Sequence, residues 1–393
     1  MYRFSQSVGA MQSSAVRELM KVASDPGMIS FAGGMPHPDL FPVRELDEIY
    51  ASLPLASKQI GFQYGPTPGY PQLLESLREY LRSKNLPVDD NDLMITTGSL
   101  QAIHLVVKVF VDAGDVVVTE NPCFVGAIPV FKFYQAELRG VPMDEDGVLI
   151  TELDKALYRT NPFPKLLYLT PYFHNPAGIV YGAERQRQVL NLLQKSEIVL
   201  LEDDAYGELH FEGKDKPVPM KAMAGDSLPI CYTGSFSKIF GPGMRLGWLL
   251  APRDIVRQCE LAKQGMDACS SMFTQVLADA FLRQGLLEGY LKRLREAYAR
   301  RAKKMLQSLE THMSDGVHWT VPRGGFYIWV QLPPSMDASK LLKKSIRKGT
   351  VFVVGKAFDP QGRKNDCFRL SFSHAPEDRI DEGIRKIAEA MRG

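Results

Sequence analysis

Between residues 93 and 252 short apolar runs alternate with longer segments of helical spacing. "LMITTG" (93–98) reads as a strand and is followed by a helix over Ser99–Val111, and "DVVVTE" (115–120) reads as a strand followed by a helix from Pro122 to Val130. "KLLYLTP" (165–171) is the next strand, then come a loop, a helix near Glu184 to Gln194, and the strand "EIVLLEDD" (197–204). "PICYTGSFS" (229–237) and "MRLGWLLAP" (244–252) close the series. Short, continuously apolar strands separated by helices predict a mostly parallel sheet covered on both faces.

The pattern differs at both ends. "SSAVRELMKVASDPG" carries serine caps, helical apolar spacing and a Pro-Gly stop, which predicts a short helix over Ser14–Ala23. "ISFAGGMPHPDLFP" follows as an extended segment, broken by glycine and proline and too irregular for a core element. Beyond residue 252 charged helices are expected over Asp254–Gln264 and Thr274–Leu309, the second interrupted near Gly285 or Gly289. "GGFYIWVQL", "GTVFVVGKAF" and "CFRLSFS" read as strands of a smaller α+β unit, and "PEDRIDEGIRKIAEAMRG" as a terminal amphipathic helix. The expected plan is a large domain over 41–285, with a small domain built from 286–393 together with 1–40.

Composition narrows the class. At 393 residues the chain exceeds the usual single core, which agrees with two domains. A net charge of +2 gives no electrostatic case for nucleic acid or an anionic membrane. Cys123, Cys231, Cys259, Cys269 and Cys367 are odd in number and form no C-x-x-C pair, so reduced thiols in a cytoplasmic protein are expected. The amino terminus lacks the continuous apolar stretch of a signal peptide, and no run approaches the ~20 apolar residues needed to span a bilayer.

"TGSFSKIFGPGMRLGW" (233–248) sets Lys238 between a serine-rich turn and a glycine-rich bend. Gly241, Gly243 and Gly247 miss the G-x-G-x-x-G spacing of a dinucleotide loop, and no Walker string occurs. Two readings remain: an ordinary exposed lysine, or a carbonyl-binding amine that forms a Schiff base with pyridoxal phosphate (PLP). On the second, Ser235, Ser237 and Arg245 surround the phosphate.

Other polar residues fall at strand ends, where open α/β sheets bind ligands. Gly98 and Ser99 stand where a strand turns into a helix and suit a phosphate, or simply a tight turn. Phe124 suits a flat heterocycle or core packing. Asn175 follows "LLYLT" in an Asn-Pro turn, and His174 lacks partners at metal-ligand spacing. Glu202, Asp203 and Asp204 follow a buried strand; they suit a solvated turn, a divalent metal, or a carboxylate beneath a pyridinium nitrogen. Together these sites supply an amine, an acid, ring-oxygen donors (Asn175 and Tyr206) and a phosphate cup, the full set that a PLP enzyme needs.

With "YGPTPGYPQLLESLREYL", "TTGSLQA", "ENPCFVG", "HNPAG", "LEDDAYGEL", "SFSKIFGPGMRLGW" and "FRLSFS", the chain resembles the class I/II aminotransferases of PLP fold type I over nearly its whole length. "VRELMKVASDPGMISFAGGMPHPDLFP" makes it most similar to the 2-aminoadipate and kynurenine aminotransferase subgroup. The resemblance implies an α/β fold whose large domain has a mostly parallel seven-stranded sheet. It implies Lys238 as the Schiff-base lysine, Asp203 at the ring nitrogen, and Asn175 and Tyr206 at the ring hydroxyl. Phosphate would be held by Gly98, Ser99, the Leu100 amide, Ser235, Ser237 and Arg245, with Tyr64 from the second subunit of a homodimer that shares its active sites. Arg369 would grip the substrate α-carboxylate, and Arg17, Gly34 and Leu40 would meet its side chain. Phe124, Ala177, Ala205 and Cys269 depart from residues common in the family at those places, without removing a required group.

The activity implied is amino transfer from an L-amino acid (2-aminoadipate, aromatic or aliphatic) to a 2-oxo acid, with 2-oxoglutarate expected. A PLP-dependent lyase or decarboxylase of the same fold is the enzymatic alternative. A PLP- or amino-acid-sensing module is the other, disfavoured because such regulators carry a helix-turn-helix segment ahead of the fold and this chain begins almost at the first helix.

Overall fold

Phe31 and Ala32, within the glycine- and proline-broken stretch near the amino terminus, have no exposed surface. The computed structural model describes residues 2–9, 15–211, 213 and 216–392, and this stretch is a core element, contrary to the expectation from its irregular sequence. Strand β1 (Ile29–Ser30) pairs in parallel with Thr350–Val351 near the other end of the chain. The Phe31 N–H then donates to Val351 O at 2.8 Å. Its pairing is wholly non-local, so local periodicity carried no sign of it. The helix expected over Ser14–Ala23 runs Ala15–Val22, and Ser14 lies outside the described residues.

The large sheet is made of β2 (Asn91–Thr96), β3 (Val116–Asn121), β4 (Glu137–Asp144), β5 (Gly147–Val148), β6 (Leu166–Leu169), β7 (Val199–Asp204), β8 (Ile230–Ser235) and β9 (Gly247–Pro252). Across the sheet their order is β2-β9-β8-β7-β6-β3-β4-β5. From β8 to β4 all neighbours are parallel. β9 runs antiparallel to both β2 and β8, and β5 adds an antiparallel hairpin of two residues. The sheet is therefore the expected seven strands plus this short eighth. β4 was not legible in the apolar pattern: it lies near the edge, most of its residues are half-buried or exposed, and Gly140 and Pro142 interrupt it.

Side chains alternate across the sheet with the period of two that extended backbone imposes. On β6, Leu166 and Tyr168 join the cluster with Ile103 and Phe131, while Leu167 and Leu169 join the one with Leu153 and Val189. Helices thus cover both faces, and β7 and β8 are buried along their whole length. The helix expected from Pro122 to Val130 instead runs Ala127–Phe133, which leaves Pro122–Gly126 as a loop carrying Phe124.

The smaller sheet holds β10 (His318–Trp319), β11 (Tyr327–Gln331), β13 (Val353–Val354) and β14 (Cys367–Ser371) in the order β10-β11-β14-β13, all antiparallel; β12 (Thr350–Val351) is the partner of β1. The long charged segment divides into Met272–Arg283 and Leu286–His312 at Gly285, whose φ of 68° is easily reached only without a Cβ. No helix among the described residues is long and apolar enough to cross a membrane.

Candidate active site

β3, β6, β7 and β8 run in parallel, so their carboxyl ends lie along one edge, and β2 shares their direction because it is antiparallel to the antiparallel β9. Residues following each strand meet there: Phe124 after β3, Asn175 after β6, Tyr206 after β7, Lys238 after β8 and Ser99 after β2. β9 presents its amino end to the same edge, which brings in Arg245. They enclose a cavity of about 300 Å³ that is also lined by Gly34, Gly98, Leu100, Asp203, Ser235, Ser237 and Arg369. Ala205, noted in the sequence only as a departure from the family, completes the wall with Val125, Thr170 and Tyr327, which were not singled out.

One end suits an anion. Gly98 caps the helix Ser99–Phe110 with φ 79°, and a Cβ there would lie 2.8 Å from Arg245 Nη2. A Cβ on Gly247 would likewise lie 2.6 Å from the Ser99 amide, so both glycines allow the close approach. Ser99 and Leu100 are in the first turn, whose amides have no intrahelical acceptor and lie at the positive end of the helix dipole. Arg245 sits at φ 51° and spends Nη2 on Thr97 O at 3.1 Å. The Ser237 amide donates to Ser235 Oγ at 3.1 Å, which curls the turn around the cup.

Another part of the wall suits a heterocycle. Asp203 is 3% exposed; its Oδ2 accepts from the Tyr168 hydroxyl at 2.8 Å, while Oδ1 is buried without a partner. Burial pushes its carboxyl up to about 7, the Tyr168 hydrogen bond opposes this, and Asp204 and Glu120 add to it. A protonated ring nitrogen would satisfy Oδ1 and relieve that cost, so the residues present fit the cofactor. The hydroxyls of Tyr206 and Tyr327 are 2.8 Å apart, and Asn175 Nδ2 donates to Tyr327 at 3.3 Å. Glu202 and Asp204 serve elsewhere: Glu202 accepts from Tyr172 and the Met220 and Lys221 amides, and Asp204 from Tyr232 and the Gly207 amide.

Lys238 donates from Nζ to Gly34 O at 2.9 Å. Its pKa is lowered to about 8 by burial, with Arg369 and Arg245 adding to the effect. Arg369 is 2% exposed, donating from Nη1 to Asn175 Oδ1 at 2.7 Å and from Nη2 to Ala32 O. Its guanidinium lies 4.4 Å from the Tyr327 ring centre and 4.9 Å from that of Phe358, its Nε has no partner, and burial lowers its pKa.

Three expected residues are not in the cavity wall. Tyr64 is 85% exposed, Arg17 is exposed on its helix, and Leu40 is half-buried against the main core. His174 is held by the Ala177 amide at Nδ1 (3.0 Å) and lies 3.2 Å from Glu120 through Nε2. Among the described residues no group of His, Cys, Asp and Glu could hold a metal.

The chain belongs to the class I and II aminotransferases, whose family model matches residues 37–387. It is 36% identical to "Aromatic-amino-acid aminotransferase 1" of Thermococcus litoralis, covering 99% of this chain and 94% of that one. It matches the structure of Pyrococcus horikoshii kynurenine aminotransferase in complex with PMP at a TM-score of 0.95, with 37% identity over 99% of this chain and 96% of that one. The alpha-aminoadipate aminotransferase of Thermus thermophilus, complexed with N-(5'-phosphopyridoxyl)-L-leucine, matches at a TM-score of 0.90 with 34% identity over 99% and 97%. The protein is accordingly a PLP-dependent aminotransferase of fold type I.

Proposed function

We propose that the enzyme moves an amino group from 2-aminoadipate, or from an L-amino acid with an aromatic or aliphatic side chain, to 2-oxoglutarate. The observation that carries this reading is Arg369: a buried guanidinium on the cavity wall with no acidic partner among the described residues. Leaving such a charge unpaired is costly, and its planar fork matches a carboxylate, so the α-carboxylate common to amino and 2-oxo acids is the natural counter-ion.

Bound in the cavity, PLP supplies an aldehyde that takes up the amino group and a ring that draws off the electrons left at the substrate Cα. In this reading Asp203 holds the ring nitrogen, Asn175 and Tyr206 the ring hydroxyl, and Phe124 the ring face. Gly98, Ser99, Leu100, Ser235, Ser237 and Arg245 hold the phosphate. Lys238 would hold the cofactor covalently, and its amine would take the proton from the substrate Cα; an amine whose pKa lies near 8 can both accept and return it at neutral pH.

A homodimer completes the site. Arg245 is exposed, so the phosphate cup is open on one side, and Tyr64 and Phe62 on a loop, with Leu55 at the start of a short helix, are exposed apolar residues suited to a second copy. Tyr64 of that copy closes the cup. Arg17 and Leu40 meet the substrate side chain when the small domain, residues 1–40 with 286–393, closes over it. A cytoplasmic setting accords with five free cysteines, four of them buried. The test is a panel of amino donors against 2-oxoglutarate: turnover of 2-aminoadipate and of aromatic or aliphatic donors is expected, and turnover of none of them would refute the substrate reading.

A further inference from the structure

Asp203 has two carboxylate oxygens, and the protein occupies one of them. Tyr168, on the neighbouring strand β6, has no exposed surface and does not line the cavity, yet its hydroxyl reaches Asp203 Oδ2 at 2.8 Å. Among the described residues it is the one hydrogen-bond donor that Asp203 has. Its ring is fixed by an edge-on contact with Phe131, centres 5.4 Å apart, from the helix covering that face. The surroundings of Asp203 otherwise disfavour a negative charge. Asp204 follows it on β7, the Glu120 carboxylate on β3 adds to the repulsion, the Cys123 thiol lies near Tyr168 and Asp203, and the Tyr206 phenol follows in the next loop.

We propose that Tyr168 is a positioning residue that keeps the Asp203 carboxylate anionic and turns Oδ1 alone toward the cofactor's ring nitrogen. This rests on the reading of Asp203 as the ring-nitrogen partner. A proton shared between that nitrogen and Oδ1 stays on nitrogen while Oδ2 is engaged by the phenol. Without the phenol the carboxylate becomes the stronger base, and the proton passes to Oδ1 with no other bond changed. Hydrogen bonds to charged groups are strong enough for the balance to move by about tenfold or more.

The test reconstitutes the protein with PLP labelled with 15N in its ring and follows the nitrogen resonance in the wild type, Tyr168→Phe, Asp203→Asn and Tyr172→Phe. Tyr172 is a fair control, because it is equally buried and donates to Glu202, one residue earlier on β7. Tyr168→Phe is expected to move the resonance toward that of neutral pyridine, and Tyr172→Phe to leave it in place. In the apoprotein the 13C-labelled Asp203 carboxyl should titrate at higher pH in Tyr168→Phe than in the wild type, a second reading that needs no cofactor. An unmoved resonance in Tyr168→Phe, or an equal shift in Tyr172→Phe, overturns the proposal. If Asp203→Asn itself leaves the resonance unmoved, the assignment of Asp203 fails first; a shift there without one in Tyr168→Phe removes Tyr168 alone.

Discussion

The hydroxyl of Tyr327 fills the space that a side chain on Gly34 would occupy. That hydroxyl joins Tyr206 and Asn175, while Gly34 O accepts from Lys238, so one small residue lets two chain segments meet in the site. Gly34→Ala is expected to displace the Tyr327 ring and cut kcat/KM by tenfold or more, on the order of 1.4 kcal/mol or above. Tyr327→Phe relieves part of the overlap, so the double variant should lose less than the sum of the two single losses. Strict additivity in a double-mutant cycle would show that the two positions are not coupled.

A second expectation concerns pH. Burial raises the carboxyl of Asp203 from an ordinary 3.8 to about 7. Between those values the folded apoprotein binds a proton that the unfolded chain does not. The resulting stability is therefore present below about 4 and lost as pH rises to 7. Asp203→Asn removes this dependence, so urea midpoints of the apoprotein should fall less between pH 5 and pH 7.5 in the variant than in the wild type. Parallel falls would mean that Asp203 does not titrate in this range. The same variant should keep the fold and lose most transamination, because an amide cannot hold the ring nitrogen protonated.

The sequence disclosed most of the cavity wall, because its residues follow apolar strands in recognisable turns: Lys238 after β8, Asp203 at the end of β7, Asn175 after β6. Tyr327 and Tyr168 were hidden for the opposite reason. Both sit inside apolar strands, where a tyrosine reads as core and only the alternation of faces decides what its hydroxyl can reach. "GGFYIWVQL" did hold one signal for Tyr327, since the paired glycines before it allow a close approach: Gly324 and Gly325 lie against Phe173. β1 and β4 were missed because their pairing is non-local or near the sheet edge, where burial leaves no regular pattern.

Substrate choice should turn on Arg17. Its helix packs beside the smaller sheet, with Leu19 and the following Ala23 against the cluster that contains Trp329, Val353 and Phe358. Arg17→Ala is expected to weaken dicarboxylic substrates by about 1.5–3 kcal/mol, as for a hydrogen bond to a charged group, while largely sparing neutral donors. Comparing kcat/KM for 2-aminoadipate with that for a neutral donor measures this, and equal losses would assign Arg17 to the fold alone.

The proposed sharing of active sites between two subunits predicts complementation. Tyr64→Ala and Lys238→Ala subunits, each inactive or weak alone, should regain activity when mixed and reassembled, since a hybrid dimer then contains one intact site. Activity that stays at the level of the separate variants would place Tyr64 outside the partner's site.

Lys238, the proposed point of cofactor attachment, presents its amine at the cavity wall with a pKa lowered to about 8. Borohydride reduction of the PLP-loaded protein followed by peptide mapping tests that attachment most directly. The cofactor should be found fixed to Lys238, and Lys238→Ala should show neither trapping nor transamination. Attachment to any other lysine, or turnover by Lys238→Ala, would contradict the account.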